Sequence, residues 1–400
     1  MGLMGLAQMG VAGGFDVEKT FVRGVYYGNQ FEANAKAAGK DVPAFVDRLF
    51  RDLRETCHCN VFWINTGGVP DQSATLDIAA KHDLKVLCCA RYDYNNFASP
   101  METESKMEAV AQRVTAAFKS KPACAGYVIC EEDDQATVTQ MEYYRQLFER
   151  LDPSRPGIFV PCGAAVVYYA YRTGYPIICS ESYLWGGPNA AYCPNTPESS
   201  RAYYTQMIGG LGDLARKSGK TAWVMTQAFS SGEGKQWIDA KGNLIIEAGS
   251  AWITRMPTPA EIRFQIWDAV RAGCKGVVFF LLMPCCIPDW QPYKPHPTED
   301  DKKWEASMDK EAAALKGRTD MSVVKSRTDT GDAQALLNRD GSATRQSKAM
   351  GEAFAAIEKL EPLIVSWKWA SFPVVFAAHP AGIGTFETPD KPDRRYAVAE

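Results

Sequence analysis

Short apolar runs alternate with longer amphipathic stretches along this chain, and the alternation recurs eight times between Phe21 and Leu360. Each apolar run spans only four to seven residues, which is too short for a buried helix. Continuous apolar runs of this length are typical of parallel strands that are covered on both faces. The alternation therefore predicts a series of βα units around a parallel sheet.

The boundaries of these units follow from the apolar pattern. The predicted strands are Val22–Tyr27, Asn60–Asn65, Lys85–Ala90, Gly126–Cys130, Gly157–Cys162, Pro176–Cys179, Ala222–Gln227 and Gly276–Leu282. The predicted helices are Val42–Thr56, Gln72–His82, Thr103–Lys119, Val138–Leu151, Ala164–Tyr171, Pro197–Ser218, Pro259–Ala272 and Ser347–Leu360. Eight units in this length fit a (β/α)8 TIM barrel with insertions. An open doubly wound sheet is the main alternative, but Gly28-Asn29-Gln30 follows strand one where that fold carries a glycine-rich phosphate loop.

Three domains or segments are expected. Residues 1–19 are apolar and Gly-rich at their start, as in a signal-peptide remnant or a disordered start. We expect residues 20–365 to form the barrel and residues 366–400 to form a β-strand tail that begins a C-terminal β-domain.

Long loops follow strands six, seven and eight. Loops after the strands build the site in such barrels, so these three predict an elaborate cleft, with packing insertions or lids as the alternative.

Composition narrows the class of ligand. The net charge is −3 and charges of both signs are mixed along the chain, so we expect neither nucleic acid nor an anionic membrane as partner. The 10 Trp, 17 Tyr and 18 Phe supply aromatic faces of the kind that stack on sugar rings. No motif for a cofactor is present, and the sequence carries no signal for the oligomeric state.

The 12 cysteines lie mostly in apolar runs and lack the paired spacing of zinc ligands, so we predict no metal site. Free cysteines are typical of a reducing, cytoplasmic compartment, whereas the apolar start of the chain favours a secreted or periplasmic protein. A secreted or periplasmic location is the prediction we carry forward, with the cytoplasm as the alternative.

The fourth strand ends in four acidic residues, within the stretch CAGYVICEEDD from Cys124 to Asp134. Like charges held close together keep one carboxyl group protonated, as a general acid requires. Asp133 and Asp134 have a simpler alternative role as caps of the next helix. We therefore predict catalytic carboxylates among Glu131 and Glu132.

Other strand ends add polar and aromatic side chains. Two carboxylates are the minimum for glycoside hydrolysis, and we predict Glu132 as general acid with Glu181 after strand six as nucleophile or base; Glu131 is a third catalytic candidate. The predicted substrate-binding residues are Tyr27, Asn65, Arg91, Tyr92, Tyr183, Trp185, Gln227 and Trp252. A salt bridge to Asp93 or Glu131 is an equal alternative for Arg91, and a core or lid position is the alternative for Trp185 and Trp252.

Two segments resemble a known group of enzymes. The segment GYVICEEDD is similar to the strand that carries the acid/base glutamate in barrel glycoside hydrolases of the clan containing β-galactosidases, and Glu132 matches that glutamate. The run AWVMTQAF, then Trp252 and RMPTPAEIRFQIWDAVRAGCKGVVFF, resembles the seventh and eighth units of barrel hydrolases. The resemblance covers residues 20–365 and implies cleavage of an oligo- or polysaccharide.

One position departs from that clan. Its nucleophile glutamate stands at the end of strand seven, where this chain has Gln227, which cannot attack or act as a base. Glu181 or Glu131 is then the second carboxylate. A carbohydrate-binding barrel without hydrolysis is the first alternative, and a lyase or isomerase that uses Arg91 and Tyr92 is a weaker one.

Overall fold

The computed structural model describes residues 15–16, 19–28, 31–64, 67–90, 104–133, 138–161, 165–186, 197–233, 235–238, 244–246, 251–284, 324–325, 335–366, 384–388 and 391–398. In chain order the strands are β1 (Val22–Tyr27), β2 (Val61–Ile64), β3 (Lys85–Cys89), β4 (Cys124–Asp133), β5 (Gly157–Pro161), β6 (Ile177–Ser182), β7 (Thr221–Gln227), β8 (Ser231–Glu233), β9 (Lys235–Ile238), β10 (Leu244–Ile246), β11 (Ala251–Thr254), β12 (Gly276–Phe280), β13 (Val324–Lys325), β14 (Gly384–Thr388) and β15 (Lys391–Val398).

Eight of these strands, β1 to β7 and β12, form one parallel sheet in the order β5-β4-β3-β2-β1-β12-β7-β6. The first strand pairs with both β2 and β12, so the beginning and the end of the series meet. The two outer strands, β5 and β6, lie in contact and complete the ring. The predicted (β/α)8 TIM barrel is confirmed, and the open doubly wound alternative is excluded.

The helices surround this barrel. They are α1 (Glu32–Ala37), α2 (Val42–Glu55), α3 (Val69–Lys81), α4 (Glu104–Phe118), α5 (Val138–Leu151), α6 (Ala165–Arg172), α7 (Pro197–Ser218), α8 (Pro259–Arg271) and α9 (Arg345–Ser366). Helix α8 begins with a capping box, because Thr258 accepts from the backbone N–H of Glu261 and the Glu261 carboxylate accepts from that of Thr258. Each capping side chain satisfies a backbone donor that has no partner within the helix.

The last helix closes the barrel at the N-terminal end of β1. Arg23 is 3% exposed, and its guanidinium binds two carboxylates of α9, Glu358 at 3.0 Å and Glu361. Glu358 also accepts from Arg54 at 3.0 Å and from His58 at 2.8 Å. This ion-pair network orients β1, so that Arg23 points to the helix layer and the alternate side chains of the strand point into the barrel.

The structure adds elements that the apolar pattern did not predict. Helix α1 is one such element, and the loop after β7 contains the antiparallel pairs β8–β11 and β9–β10. Strand β4 continues to Asp133, three residues beyond its predicted end at Cys130, because Glu131 and Asp133 pair with β5. The predicted β-strand tail contains the antiparallel pair β14–β15. The division at residue 366 stays a prediction, and the start of the chain before residue 15 lies outside the described residues.

The described cysteines are free thiols and most are buried in the sheet and helix layers. Burial raises the pKa of Cys57, helped by the charge of Asp52, to about 12, and burial likewise raises that of Cys274 to about 12. Within the described part of the chain, no helix is long and apolar enough to cross a membrane. The secreted or periplasmic location stays a prediction.

Candidate active site

Two irregularities in the pairing of β4 with β5 decide which side chains of β4 enter the barrel. The register shifts between Val128 and Cys130 and again between Glu131 and Asp133. Such a bulge adds one residue to one strand and reverses the side on which the following side chains lie. Cys130 consequently lies opposite Phe159, whose ring stacks on Tyr169 of helix α6 in the outer layer. Glu131 is the next residue and points to the barrel interior.

Glu131 is held there by a residue from the far side of the barrel. The hydroxyl of Tyr26 on β1 donates to Oε2 of Glu131 at 3.0 Å, and both residues are 4% exposed. Strands β2 and β3 lie between β1 and β4 in the sheet, so this hydrogen bond crosses the barrel interior. One carboxylate of the acidic cluster is thus placed inside the barrel near the C-terminal ends of the strands.

Glu181 on β6 faces the same interior. It follows Cys179 by two residues on a regular strand and precedes Tyr183 by two, and side chains two apart share one face. Tyr183 contacts the rings of Phe229 and Phe280 at centroid distances of 5.1 and 5.4 Å. Glu181 is half-buried.

The pKa of the buried Cys179 thiol is affected by both carboxylates, those of Glu131 and Glu181. Burial raises the pKa of Cys179 well above its ordinary value, and the negative charges of Glu181 and Glu131 raise it further. Because the Coulomb interaction weakens with distance, both Glu131 and Glu181 lie within reach of Cys179. The structure therefore brings together two of the three predicted catalytic carboxylates.

Aromatic rings line this region. Tyr26 contacts the ring of Phe280 at 5.0 Å and that of Trp63 at 6.1 Å, and Phe280 contacts Phe229 at 5.1 Å. We call five of these residues the aromatic wall: Tyr26, Trp63, Tyr183, Phe229 and Phe280. They come from β1, β2, β12 and the ends of β6 and β7. Aromatic faces beside carboxylates suit a ligand with both apolar faces and hydroxyl groups.

Gln227 ends β7 and is fully buried, and its amide connects three backbone segments. Its Oε1 accepts from the backbone N–H of Trp185 at 2.9 Å. Its Nε2 donates to the carbonyl oxygens of Arg255 at 2.7 Å, Phe229 at 3.1 Å and Trp185 at 3.3 Å. Through these bonds Gln227 connects the loops after β6 and β7. Its role in substrate binding stays a prediction.

The side chains of Trp185 and Arg255 lie between the barrel and helices α7 and α8. Trp185 is 0% exposed, and its ring packs against Tyr204 of α7 and Phe264 of α8. The guanidinium of Arg255 lies 5.5 Å from the ring centroid of Trp185 and binds Glu261 through two contacts of 2.7 Å. This packing gives Trp185 the core position that the sequence left open beside a sugar-stacking role.

Tyr27 and Tyr26 lie on opposite faces of β1. Tyr27 points to the outer layer, where its hydroxyl accepts from Asn34 at 2.8 Å and its ring contacts Phe31. Tyr26 is the residue that enters the site, and sequence analysis missed it. Arg23 could have indicated this. A charged side chain on a barrel strand faces away from the interior, and Tyr27 lies on the same face as Arg23 because the two are four residues apart on one strand.

Several predicted site residues fall outside the part of the chain that the structure describes. Asn65, Arg91 and Tyr92 lie outside the described residues, as do the side chains of Glu132 and Trp252. The backbone of Glu132 belongs to β4 at the second irregularity. Among the described residues, no group of three metal-ligating side chains forms a site.

Comparisons with known proteins agree on the fold. A GH5_18 protein from Streptomyces cattleya, in complex with GlcNAc, superposes with a TM-score of 0.55 at 12% identity over 89% of this chain and 83% of its own. A GH5_18 protein from Bifidobacterium longum, in complex with Manb1-4GlcNAc, gives 0.50 at 13% over 84% and 78%. A GH2 beta-galacturonidase from Eisenbergiella tayi, bound to galacturonate, gives 0.52 at 13% over 84% and 51%.

These neighbours are glycoside hydrolases that hold carbohydrate, and at such identities the similarity establishes a shared TIM-barrel fold. No protein-family model and no curated protein sequence matches the chain.

Proposed function

We propose that the protein is a glycoside hydrolase that cleaves an oligo- or polysaccharide by a two-carboxylate mechanism. The observation that carries this proposal is the convergence of Glu131 and Glu181 on one aromatic-walled region at the C-terminal ends of the barrel strands. That end of a barrel is where catalytic groups lie in enzymes of this fold.

In the proposed reaction Glu132 donates a proton to the glycosidic oxygen as the bond from that oxygen to the anomeric carbon breaks. Glu181 either attacks the anomeric carbon or removes a proton from the water that attacks it. Glu131 supplies negative charge beside the sugar, where positive charge develops in the transition state. The aromatic wall orients the ring and excludes water from it.

Hydrolysis of a substrate panel tests this proposal. The panel contains neutral hexosides, N-acetylhexosaminides and uronides, each as an oligosaccharide and as an aryl glycoside with a good leaving group. Glu132→Gln should lower turnover of the oligosaccharide by about 10²–10⁴-fold, because its leaving oxygen needs a proton. The aryl glycoside needs no proton donor, so its cleavage should fall much less.

Glu55→Gln is the matched control, because Glu55 is an exposed glutamate at the end of α2. It should leave turnover unchanged. Equal turnover of the oligosaccharide by Glu132→Gln and by Glu55→Gln would contradict the assignment of the acid.

A carbohydrate-binding barrel without hydrolysis is the second candidate, and Gln227 favours it. The hydrolase clan that the sequence resembles carries its nucleophile at that position, whereas the Gln227 amide is committed to backbone groups. Calorimetry with the same panel separates the two functions. A binding protein gives saturable heat and returns the sugar intact, whereas a hydrolase releases product.

A further inference from the structure

We infer that Tyr26 is a positioning residue that holds Glu131 as an anion inside the barrel, and that this anion supports the proposed hydrolysis. The inference rests on the proposed function and extends it to a residue on β1 that no motif identifies. It starts from one contact, the donation from the Tyr26 hydroxyl to Oε2 of Glu131 at 3.0 Å.

The phenol of Tyr26 is held by two ring contacts and by the anchored backbone of β1. Its ring lies between Phe280 and Trp63, with centroids at 5.0 and 6.1 Å. Its backbone carbonyl accepts from the N–H of Leu282 at 3.0 Å, which ties β1 to the segment after β12. A hydroxyl held so firmly loses little further freedom when it bonds to a carboxylate, which makes the bond more stabilising.

The groups that face Glu131 act in opposite directions on its ionisation. From β6, the carboxylate of Glu181 and the buried thiol of Cys179 share its region, and burial together with a like charge favours the protonated form. From β1, the Tyr26 hydroxyl donates to the carboxylate, which favours the ionised form. Tyr183 of the aromatic wall is a further titratable group on the β6 side. The Tyr26 hydroxyl is thus a donor that opposes protonation of Glu131.

An ionised Glu131 serves the reaction without exchanging a proton. The transition state of glycoside hydrolysis carries positive charge on the sugar ring. A carboxylate fixed beside that charge lowers the barrier, provided that it is charged before the reaction begins. Deleting the Tyr26 hydroxyl should therefore impair catalysis at acidic pH first, where Glu131 then takes up a proton.

The test compares Tyr26→Phe with Tyr127→Phe. Tyr127 is the matched control because its buried hydroxyl donates to a carboxylate, that of Asp152, at 2.7 Å, but on the outer face of β4. The substrate is an aryl glycoside that the wild type cleaves, and kcat and KM are measured between pH 4 and 9. We expect Tyr26→Phe to move the acidic limb of the kcat/KM profile up by about one pH unit, so that activity on that limb falls about tenfold. KM should change less than twofold, and Tyr127→Phe should keep the wild-type limb.

An acidic limb in Tyr26→Phe that coincides with that of Tyr127→Phe would overturn the inference. Should Tyr26→Phe fail to fold, 3-fluorotyrosine at position 26 replaces it. Its more acidic hydroxyl donates more strongly and should move the limb to lower pH, and an unmoved limb would overturn the inference equally.

A measurement without substrate separates this inference from the proposed function. Difference infrared spectroscopy follows the carboxyl band that Glu131→Gln removes, as pH is varied. In Tyr26→Phe this band should appear at higher pH than in the wild type, whether or not any sugar is cleaved. Identical titration in both proteins would refute the role of Tyr26 even if the protein hydrolyses glycosides. Absence of hydrolysis with a shifted titration would refute the proposed function alone.

Discussion

The backbone N–H of Trp185 donates to Oε1 of Gln227 at 2.9 Å, and this bond joins the loop after β6 to the last residue of β7. The other side of the Gln227 amide faces three carbonyl oxygens, those of Trp185, Phe229 and Arg255. Carbonyl oxygens need a donor, which an amide supplies and a carboxylate does not. The local structure around position 227 is therefore built for glutamine.

Gln227→Glu should consequently destabilise the protein without creating a nucleophile. A carboxylate at this buried position would lose the Nε2 donor and face carbonyl oxygens, at a cost of about 1–3 kcal/mol or more in the free energy of unfolding. Urea unfolding should show the loss, and it should grow as pH rises because the charged form is the disfavoured one. An increase in glycosidase activity with unchanged stability would contradict this account of Gln227.

The eight strands were predictable because each is short, apolar and covered on both faces, so that the pattern alone indicates a parallel barrel. The direction in which the side chains at the site point was not predictable from the sequence. Simple alternation from Gly126 would leave Glu131 outside the barrel, but the irregularity after Val128 reverses the faces and brings Glu131 inside. The position of a bulge in β4 depends on how β4 pairs with β5. That pairing is a tertiary contact and cannot be deduced from the residues of β4 alone.

The aromatic residues of the site show the same limit. The sequence identified Tyr183, which the structure places in the aromatic wall, but composition could not separate it from Trp185, which is buried between helices α7 and α8. Both follow β6 and both are aromatic. Only the path of the loop after the strand decides which ring reaches the barrel interior.

The buried ion pair between Arg255 and Glu261 should contribute strongly to stability. Glu261→Ala would leave the guanidinium of Arg255, which is 3% exposed, without its carboxylate, and would remove the capping box of α8. Breaking a buried pair in this way costs about 3–5 kcal/mol. The control is Arg263→Ala on the same helix, where an exposed pair with Glu352 at 3.6 Å should contribute less than about 0.5 kcal/mol. Equal urea midpoints for the two variants would contradict the prediction.

Helices α7 and α8 approach closely at Gly212. A Cβ atom there would lie 1.9 Å from the carbonyl oxygen of Ala272, so Gly212→Ala should force the helices apart and cost about 3 kcal/mol. Gly210→Ala on the same helix is the opposite case, because nothing lies within 4 Å of its added methyl group. There alanine should stabilise the helix by about 0.5–1 kcal/mol. Thermal unfolding of both variants checks this, and a stable Gly212→Ala protein would show that the approach is not tight.

Asp152 should make the stability depend on acidic pH. Burial opposes its ionisation, but hydrogen bonds from Ser154 at 2.6 Å and Tyr127 at 2.7 Å, together with the charge of Arg155, hold the pKa of Asp152 below its ordinary value. A lowered pKa stabilises the fold above the unfolded-state value of about 3.9, and that stability is lost as pH falls through the folded-state pKa.

Asp152→Asn should therefore be less stable than the wild type at pH 7, and the difference should shrink below about pH 3.9. Asp77→Asn is the control, because Asp77 pairs with Lys121 at the surface. Urea unfolding between pH 3 and 7 measures both. A difference between Asp152→Asn and the wild type that stays constant over this range would refute the linkage.

The most direct measurement of the central claim, that Glu181 on β6 is the second carboxylate of the hydrolysis, is the turnover of an aryl glycoside by Glu181→Gln. A good leaving group removes the need for the acid, so this substrate reports on the second carboxylate alone. If Glu181 attacks the sugar or activates water, turnover should fall by at least about 10³-fold while the circular dichroism spectrum stays unchanged. Wild-type turnover by Glu181→Gln would contradict the account.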